Sequence, residues 1–386
     1  MKDILIITNY FPPEIGAASN RIFHLAEGLQ KRECNVSVIT PLPNYPKGEI
    51  FNDYKGRFKF SSIENNIKVY RLWLYANNSK SKLLRLFAMI SYSLSLICFF
   101  CFNKIPKTVI IQSPPLLVAF TSILFLKSKN RKLILNVSDL WPLAGLELGA
   151  FKRNSIYRLL QKIEHYNYKK ADLILGQSEE ILSHIQSIFP KKDTFLYRNY
   201  PQIEAPKVLQ KHNSDNKIKM VYAGLLGVAQ GIYKLCHELD YSRVEFHIYG
   251  DGAERSLIKN FIESNTDLPI YYHGELTRNK LHESIIQYDL TIIPLLNRIY
   301  GSVPSKIFEY SKLGIPIIYF GGGEGETLIE NNKLGWIAKA GDYTDLNNTI
   351  NKISTAELQK IRASIRKQAF QVFNLEKQLD SLIKTI

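Results

Sequence analysis

Cysteine is scarce: Cys34, Cys98, Cys101 and Cys236 are the only ones in 386 residues. Four at these positions make no disulfide framework. Cys98 and Cys101 have the spacing of a metal or redox pair, but no second ligand pair lies nearby. They are expected to pack as small buried hydrophobes. Acid is short relative to base, with 50 Lys and Arg against 35 Asp and Glu, a formal charge of +15. Such a surplus implies an anionic partner: nucleic acid, acidic lipid or a phosphorylated substrate. No helix-turn-helix, zinc-finger or RNP pattern occurs, so nucleic acid is the least supported and an anionic membrane face fits better. Internal repeats and low-complexity tracts are also missing. The opening Met1-Lys-Asp-Ile-Leu-Ile-Ile is a strand pattern without a signal-peptide layout, so a cytoplasmic protein is expected.

What is present suits two α/β domains. A hydrophobic content of 45% can fill two cores of ordinary size. An isoleucine-rich run at 3–9 reads as a buried strand, 20–31 as a helix with Ile22, Leu25, Ala26 and Leu29 inside, and 35–40 as a second strand. This β-loop-α-β unit opens a doubly wound parallel sheet. Further strands are expected at 109–112, 132–137 and 171–176. A second set follows at 219–223, 245–249, 270–273, 289–294 and 315–320. The composition turns polar and linker-like around 197–201 and 210–217, placing the domain boundary near residue 200. The domains are therefore 1–199 and 200–365, with 366–386 in a basic, amphipathic final helix beginning near 356.

Residues 83–102 form the most apolar stretch, with Arg85 the single charge. A membrane span needs ~20 predominantly apolar residues, so this run is borderline. Its place between two strands favours a crossover helix on the sheet or an interfacial helix. Lys80, Lys82 and Arg85 could then meet lipid phosphates. The apolar helix at 116–126 is too short to span.

The chain is organised around Tyr300-Gly-Ser-Val-Pro-Ser-Lys-Ile-Phe-Glu-Tyr-Ser-Lys-Leu-Gly314, which precedes a buried strand. Pro304 suits the first helical position, Gly314 the left-handed residue after a helix end, and Pro316 forbids continuation. Lys306, Glu309 and Tyr310 then share a face. A lysine in the first turn opposes the helix dipole unless a phosphate binds there. Glu309, an acceptor-only group, suits paired ribose hydroxyls. The plainer alternative is a solvated Lys306–Glu309 ion pair.

Other loops fall at the carboxyl ends of strands, where doubly wound sheets bind ligands. Gly16-Ala17-Ala18 would let substrate approach the backbone. Asn44 and Tyr45, between Pro43 and Pro46, offer hydrogen bonds to a sugar, or merely cap the strand. Asp139, beside Trp141, could accept a proton from an acceptor hydroxyl, or cap a helix. Gly224, Gly227 and Gly231 can bring amides to a phosphate. Gly321-Gly-Gly-Glu-Gly-Glu326 reads as a flexible loop whose Glu324 or Glu326 binds sugar hydroxyls or is simply solvated.

Pro304-Ser-Lys-x-x-Glu-Tyr followed by Gly-x-Pro resembles the donor-site signature of family 4 glycosyltransferases. The likeness is to the branch with bacterial L-fucosamine transferases of O-antigen and capsule synthesis. Pro13-Glu14-x-Gly16, Pro43-Asn-Tyr-Pro46, Asp139-Leu-Trp-Pro142 and Gly250-Asp251-Gly252-x-Glu254 resemble motifs of the same group. The resemblance implies the B-type architecture: two Rossmann-like domains facing a cleft, with the chain end returning to the first. It implies Glu14 near donor phosphate and acceptor, and Asp251 and Gly252 near the nucleotide base. Five positions depart from the wider family, the first being Ala17, which stands where many relatives have a second glycine. Ser138 stands where many relatives have histidine. Leu225 and Gln230 occupy the places of an arginine and a lysine, which shifts phosphate binding onto Lys306, Arg298 and amides. Gly301 replaces the first of two glutamates.

The implied reaction is a retaining transfer from a UDP-sugar, with an N-acetylated amino sugar such as FucNAc among the candidates, to a polyprenyl-diphosphate-linked saccharide at the inner membrane face. Without an Asp-x-Asp motif, no metal is expected. Asp139, Lys306 and Glu309 are the expected catalytic group. Gly16, Gly224, Gly227, Gln230, Asp251, Gly252, Arg298, Pro304, Ser305 and Glu326 join Lys306 and Glu309 at the donor. Glu14, Asn44, Tyr45 and Trp141 are expected at the acceptor. A non-catalytic nucleotide-sugar scaffold or sensor, and a sugar-nucleotide epimerase, are the competing readings.

Overall fold

The computed structural model describes residues 1–77, 81–150, 152–203, 217–296 and 298–386. Lys80, the side chain of Lys82 and residues 210–216 of the expected linker lie outside them. The chain forms two compact units. The first comprises residues 1–199 with 299–302 and 376–386; the second comprises 200–298 with 303–375.

The first unit runs β1 (Lys2–Ile7), α1 (Ala17–Gln30), β2 (Cys34–Pro41), β3 (Lys59–Glu64), β4 (Ile67–Leu72), α2 (Lys82–Phe102), β5 (Thr108–Ser113) and α3 (Leu116–Leu126). It continues β6 (Lys132–Val137), α4 (Leu143–Glu147), α5 (Ser155–Lys170), β7 (Leu173–Gly176), α6 (Glu179–Ile188) and β8 (Thr194–Leu196). Its sheet has the order β3-β4-β2-β1-β5-β6-β7-β8. All neighbours are parallel except β3 and β4, a hairpin turned by Asn65 and Asn66 at φ 49° and 62°. Both turn residues are left-handed, as this turn type requires. Buried Ile, Val and Leu side chains from β1, β5 and β6 fill both faces of the sheet. Ile22, Leu25, Ala26 and Leu29 of α1 are fully buried, as expected.

The second unit runs β9 (Ile218–Ala223), α7 (Ile232–Glu238), β10 (Val244–Tyr249), α8 (Arg255–Ser264), β11 (Ile270–Gly274), α9 (Arg278–Ile285) and β12 (Leu290–Pro294). It ends with α10 (Lys306–Lys312), β13 (Ile317–Phe320), α11 (Glu324–Asn331), β14 (Gly335–Ile337), α12 (Tyr343–Lys352) and α13 (Thr355–Val372). The order β11-β10-β9-β12-β13-β14 is that of a doubly wound sheet, reversing between β9 and β12. The architecture is thus α/β with two parallel-sheet domains.

Several boundaries differ from the sequence reading. The final helix is two, α13 and α14 (Leu375–Thr385). The tail that joins the first unit begins at Glu376, past the expected residue 366. Residues 197–201 are no loose linker: Tyr197 and Arg198 are buried, and the Arg198 backbone exchanges bonds with the Gln378 amide at 2.9 Å. A further strand, β8, follows the one expected to be last. Helix α2 is only half seated on the sheet. Tyr92 donates to the Thr8 carbonyl (3.0 Å) and Ser95 to that of Trp73 (2.7 Å), while Leu83, Phe87, Ile90 and Leu94 stay exposed. Cys98 and Cys101 are also exposed, contrary to expectation, because they continue this outer stripe.

Candidate active site

In the second unit the loop after β9 occupies the reversal point of the sheet. The loop after β10 is stacked on it. Gly250 has φ 136°, and a Cβ there would lie 1.8 Å from the Gly224 carbonyl oxygen, so glycine is required. The Leu226 amide donates to the Asp251 carbonyl, and the Glu254 amide to that of Leu226, both at 2.9 Å. Among the described residues the amides of Leu225, Gly227 and Val228 have no acceptor, which leaves a row of donors suited to an anion. Gln230 turns its Oε1 inward, buried and without a hydrogen-bond partner. Asp251 closes its own loop, accepting from the Gly252 amide at 2.8 Å and from Arg255 at 3.2 Å.

Lys306 reaches this loop from α10. Its Nζ donates to the Ala223 carbonyl and lies 3.1 Å from the Tyr310 hydroxyl, which donates to the same carbonyl at 2.8 Å. The Tyr222 and Tyr310 rings flank the ammonium, at 5.8 and 5.4 Å. Burial brings its pKa down to about 8, opposed by the charge of Glu309. The helix begins at Lys306 and not at Pro304. Ser305 precedes it, and the Ile307 amide bonds back to the Pro304 carbonyl at 3.1 Å, so Pro304 belongs to the lead-in turn. The helix stops as expected. Gly314 has φ 72°, and the amides of Gly314 and Ile315 bond to the carbonyls of Ser311 and Tyr310, both at 3.0 Å.

Glu309 does not form the ion pair with Lys306 that was the plainer alternative. Its Oε1 accepts from Arg278 Nε (3.0 Å) and His282 Nε2 (2.6 Å), leaving Oε2 open among the described residues. Burial raises its pKa, but the His282 hydrogen bond and the Arg278 charge outweigh this and hold it at about 2. Sequence reasoning missed Arg278 and His282. Their i, i+4 spacing on α9 was the available signal. Arg298 lies over the turn into α11: a Cβ on Gly323 would meet its Nε at 2.3 Å. The expected flexible loop at 321–326 is in part helix, with Glu324 and half-buried Glu326 in the first turn of α11.

In the first unit the order reverses between β1 and β5. Gly16 caps α1, and Ala17 and Ala18 lie inside the helix, not in an open loop. Glu14 is buried, and its Oε1 accepts from the amides of Asn44 (2.8 Å) and Tyr45 (2.9 Å). Burial raises its pKa, and those two amides pull it back. The Asn44 side chain donates to the Leu42 carbonyl at 3.0 Å. Glu14 and Asn44 therefore brace the loop. Tyr45, 44% exposed and edge-on to Tyr10 at 5.4 Å, is what the loop presents.

Asp139 follows β6 and is half-buried; burial raises its pKa, and Arg21 opposes the rise. Arg21 was not anticipated. It is buried within the first turns of α1, and its guanidinium donates to the Ser138 hydroxyl, which also accepts from Gln112 Nε2. Burial lowers its pKa to about 10, with Asp139 pulling upward. The half-buried Trp141 joins Asp139 through its amide, which donates to the Asp139 carbonyl at 3.0 Å. Gly301 packs in the same unit. Its amide donates to Glu180 (2.9 Å), and its carbonyl accepts from Ser178 (2.7 Å). At φ 83°, with a Cβ placed 2.8 Å from Ile181, an acid at this position would be strained.

Comparison with known proteins agrees with this layout. Residues 16–196 match the glycosyl transferase 4-like domain, and residues 218–355 match glycosyl transferases group 1. A relative in Escherichia coli (strain K12), which carries the name colanic acid biosynthesis glycosyl transferase WcaI, is 23% identical over 284 residues, covering 68% of this chain and 69% of its own. Sucrose-phosphate synthase from Thermosynechococcus elongatus shares the fold with a TM-score of 0.74 at 14% identity, covering 100% of this chain and 98% of its own. Anabaena Alr3699/HepE, solved in complex with UDP and glucose, does so with a TM-score of 0.65 at 15% identity, covering 100% and 99%. With both halves matched and both sheets of the expected kind, the chain belongs to the family 4 glycosyltransferases of the GT-B fold.

Proposed function

We propose that the chain transfers a sugar from a UDP-sugar to a polyprenyl-diphosphate-linked saccharide during synthesis of a bacterial surface polysaccharide such as O-antigen or capsule. The observation that carries the donor half is the half-buried Lys306, its ammonium set beside Gly224 and the open amides of Leu225, Gly227 and Val228. Donors fixed before the reaction stabilise the charge that develops on a leaving diphosphate. They supply positive charge where other transferases use a metal, so the transfer is metal-independent in this reading. Glu309 Oε2 takes the ribose hydroxyls. The UDP bound by HepE is consistent with a uridine donor, and the name of WcaI with polysaccharide synthesis. An N-acetylated amino sugar of the FucNAc kind is the proposed donor sugar.

The transfer is taken to retain configuration, with the departing phosphate oxygen accepting the acceptor proton and Asp139 orienting the acceptor hydroxyl. Tyr45 and Trp141 supply aromatic surface for the acceptor saccharide. The outer stripe of α2 gives the acceptor's lipid its setting. It exposes Leu83, Phe87, Ile90 and Leu94, with Arg85 at its start, the makeup of a helix lying in a membrane interface. The protein would then work peripherally on the inner face of the membrane.

The test is UDP release from a panel of UDP-sugars with detergent-solubilised polyprenyl-diphosphate saccharides, with and without EDTA. Acceptor-dependent, EDTA-resistant release that is lost in Lys306→Ala and Glu309→Ala supports the reading. Tight UDP binding without release from any pair supports a nucleotide-sugar sensor; release-free interconversion of the UDP-sugar supports an epimerase.

A further inference from the structure

A second concentration of positive charge lies at the other edge of the first sheet. Strands β1, β5, β6, β7 and β8 all begin there. Lys2, Lys107, Lys127, Lys129, Arg131 and Lys132 line a recess of about 970 Å³ between their starts. Asp172 and Asp193 are the carboxylate side chains in its wall. Asp172 is already engaged, with Lys127 at 2.5 Å and the Leu133 amide at 2.8 Å. Arg131 is held in place, its Nε on the Pro106 carbonyl (3.1 Å) and one terminal nitrogen on that of Leu126 (2.7 Å). The other terminal nitrogen stays open among the described residues. The Lys2 and Lys132 ammonium groups rest on the carbonyls of Ile386 and Thr385. The side chains of Lys107 and Lys129 have no hydrogen bond or ion pair among the described residues.

Six basic side chains stand against two acidic side chains and the Ile386 end of the chain; with Lys127 on Asp172 and Lys2 on Ile386, the remaining surplus of Lys107, Lys129, Arg131 and Lys132 forms a site for a compact polyanion. The recess and Asp139 lie at opposite ends of β6, about 20 Å apart by strand rise. It is therefore not part of the candidate active site. Helix α3 ends at Leu126, immediately before Lys127 of the recess, with Leu124 49% and Phe125 50% exposed on its last turn. Basic groups next to apolar side chains match a phosphate group attached to hydrocarbon.

We propose that this recess binds a phosphate-bearing anion, either the phosphomonoester or diphosphate headgroup of a lipid or a soluble polyphosphate. The proposal does not depend on the transferase reading.

Two arms separate the sources. Full-length protein is titrated calorimetrically with pyrophosphate, and is sedimented with phosphatidylcholine vesicles with and without phosphatidic acid. Both are run at about 0.15 M salt, where charges beyond about 8 Å are screened. Lys107→Glu/Lys129→Glu is compared with Lys339→Glu/Lys360→Glu, which changes net charge equally on exposed positions of the second unit. The recess pair should lose at least about tenfold in affinity, as expected when basic side chains leave an anionic surface. The control pair should keep it. Loss in the pyrophosphate arm identifies a soluble polyphosphate; loss only with phosphatidic acid identifies the headgroup. If Lys107→Glu/Lys129→Glu fails to melt like the wild type, Lys107→Gln/Lys129→Gln takes its place. Equal loss in both pairs overturns the proposal. So does binding that disappears only in Lys306→Ala, or no binding in either arm.

Discussion

A Cβ on Gly224 would lie 2.6 Å from the Nζ of Lys306 and 2.9 Å from its Cε. The obstruction would be the far end of a flexible side chain, so Gly224→Ala should fold and displace the ammonium without removing it. We expect the KM for the donor to rise about tenfold, as for one weakened charge-assisted hydrogen bond, with the melting temperature little changed. Lys306→Met should raise it further, by about 10- to 100-fold. Donor kinetics on both variants check this. An unchanged KM in Gly224→Ala would mean that the ammonium has no part in donor binding.

The titration of Lys306 gives the donor step a pH dependence. Burial places its pKa at about 8. The ammonium is present below that pH and lost above it, so kcat/KM for the donor should fall as pH rises through about 8. Lys306→Arg keeps its charge throughout and should remove the alkaline limb even if overall activity drops. A limb that persists unchanged in the arginine variant would assign it to another group.

Glu309 can be tested through the open oxygen left by Arg278 and His282. If Oε2 receives the ribose hydroxyls, UDP should bind tighter than 2′-deoxy-UDP by about 10- to 100-fold, the range for a hydrogen bond to a charged group. Glu309→Gln should bind both nucleotides weakly and about equally. Calorimetry on the four pairings gives the coupling directly. A preference for UDP that survives Glu309→Gln would place the ribose elsewhere.

Legibility in the sequence varied from element to element for physical reasons. The stop of α10 could be read because Gly314 and Pro316 act through backbone geometry alone. The buried stripe of α1 was legible from its spacing, but not its start, which has no side-chain cap. Strand β3 was missed because Lys-Phe-Ser-Ser-Ile-Glu, on an outer edge, carries little apolar signal. The Asn65-Asn66 turn beside it was the overlooked cue. Composition could not tell which side of α2 is buried, since both sides are apolar, and so Cys98 and Cys101 were assigned to the wrong one. The site residues from signature positions were legible as positions but not as partners. Glu14 faces its own loop and Glu309 faces α9 because those bonds depend on tertiary placement. Gly301, where the wider family has an acid, is fixed by a left-handed backbone and by Ile181.

One buried acid outside the candidate site makes a separate prediction about stability. Glu164 is buried, accepts from the Tyr168 hydroxyl at 2.9 Å and lies 3.9 Å from His184. Burial pushes its pKa up to about 7, with the Tyr168 bond pulling down. Below the unfolded value of 4.5, both states hold the proton. Between 4.5 and about 7, the unfolded chain releases it and the folded chain keeps it, so stability falls as pH rises through this window. The full effect is on the order of 3 kcal/mol. Glu164→Gln keeps an acceptor for Tyr168 but cannot ionise, so its melting temperature should lack this decline. The burial-lowered pKa of His184 contributes in the opposite sense, but it is common to both proteins, so the difference between the two curves reports Glu164. The check is thermal melting from pH 4 to 8. Parallel curves for wild type and Glu164→Gln would show that Glu164 does not keep its proton in the folded state.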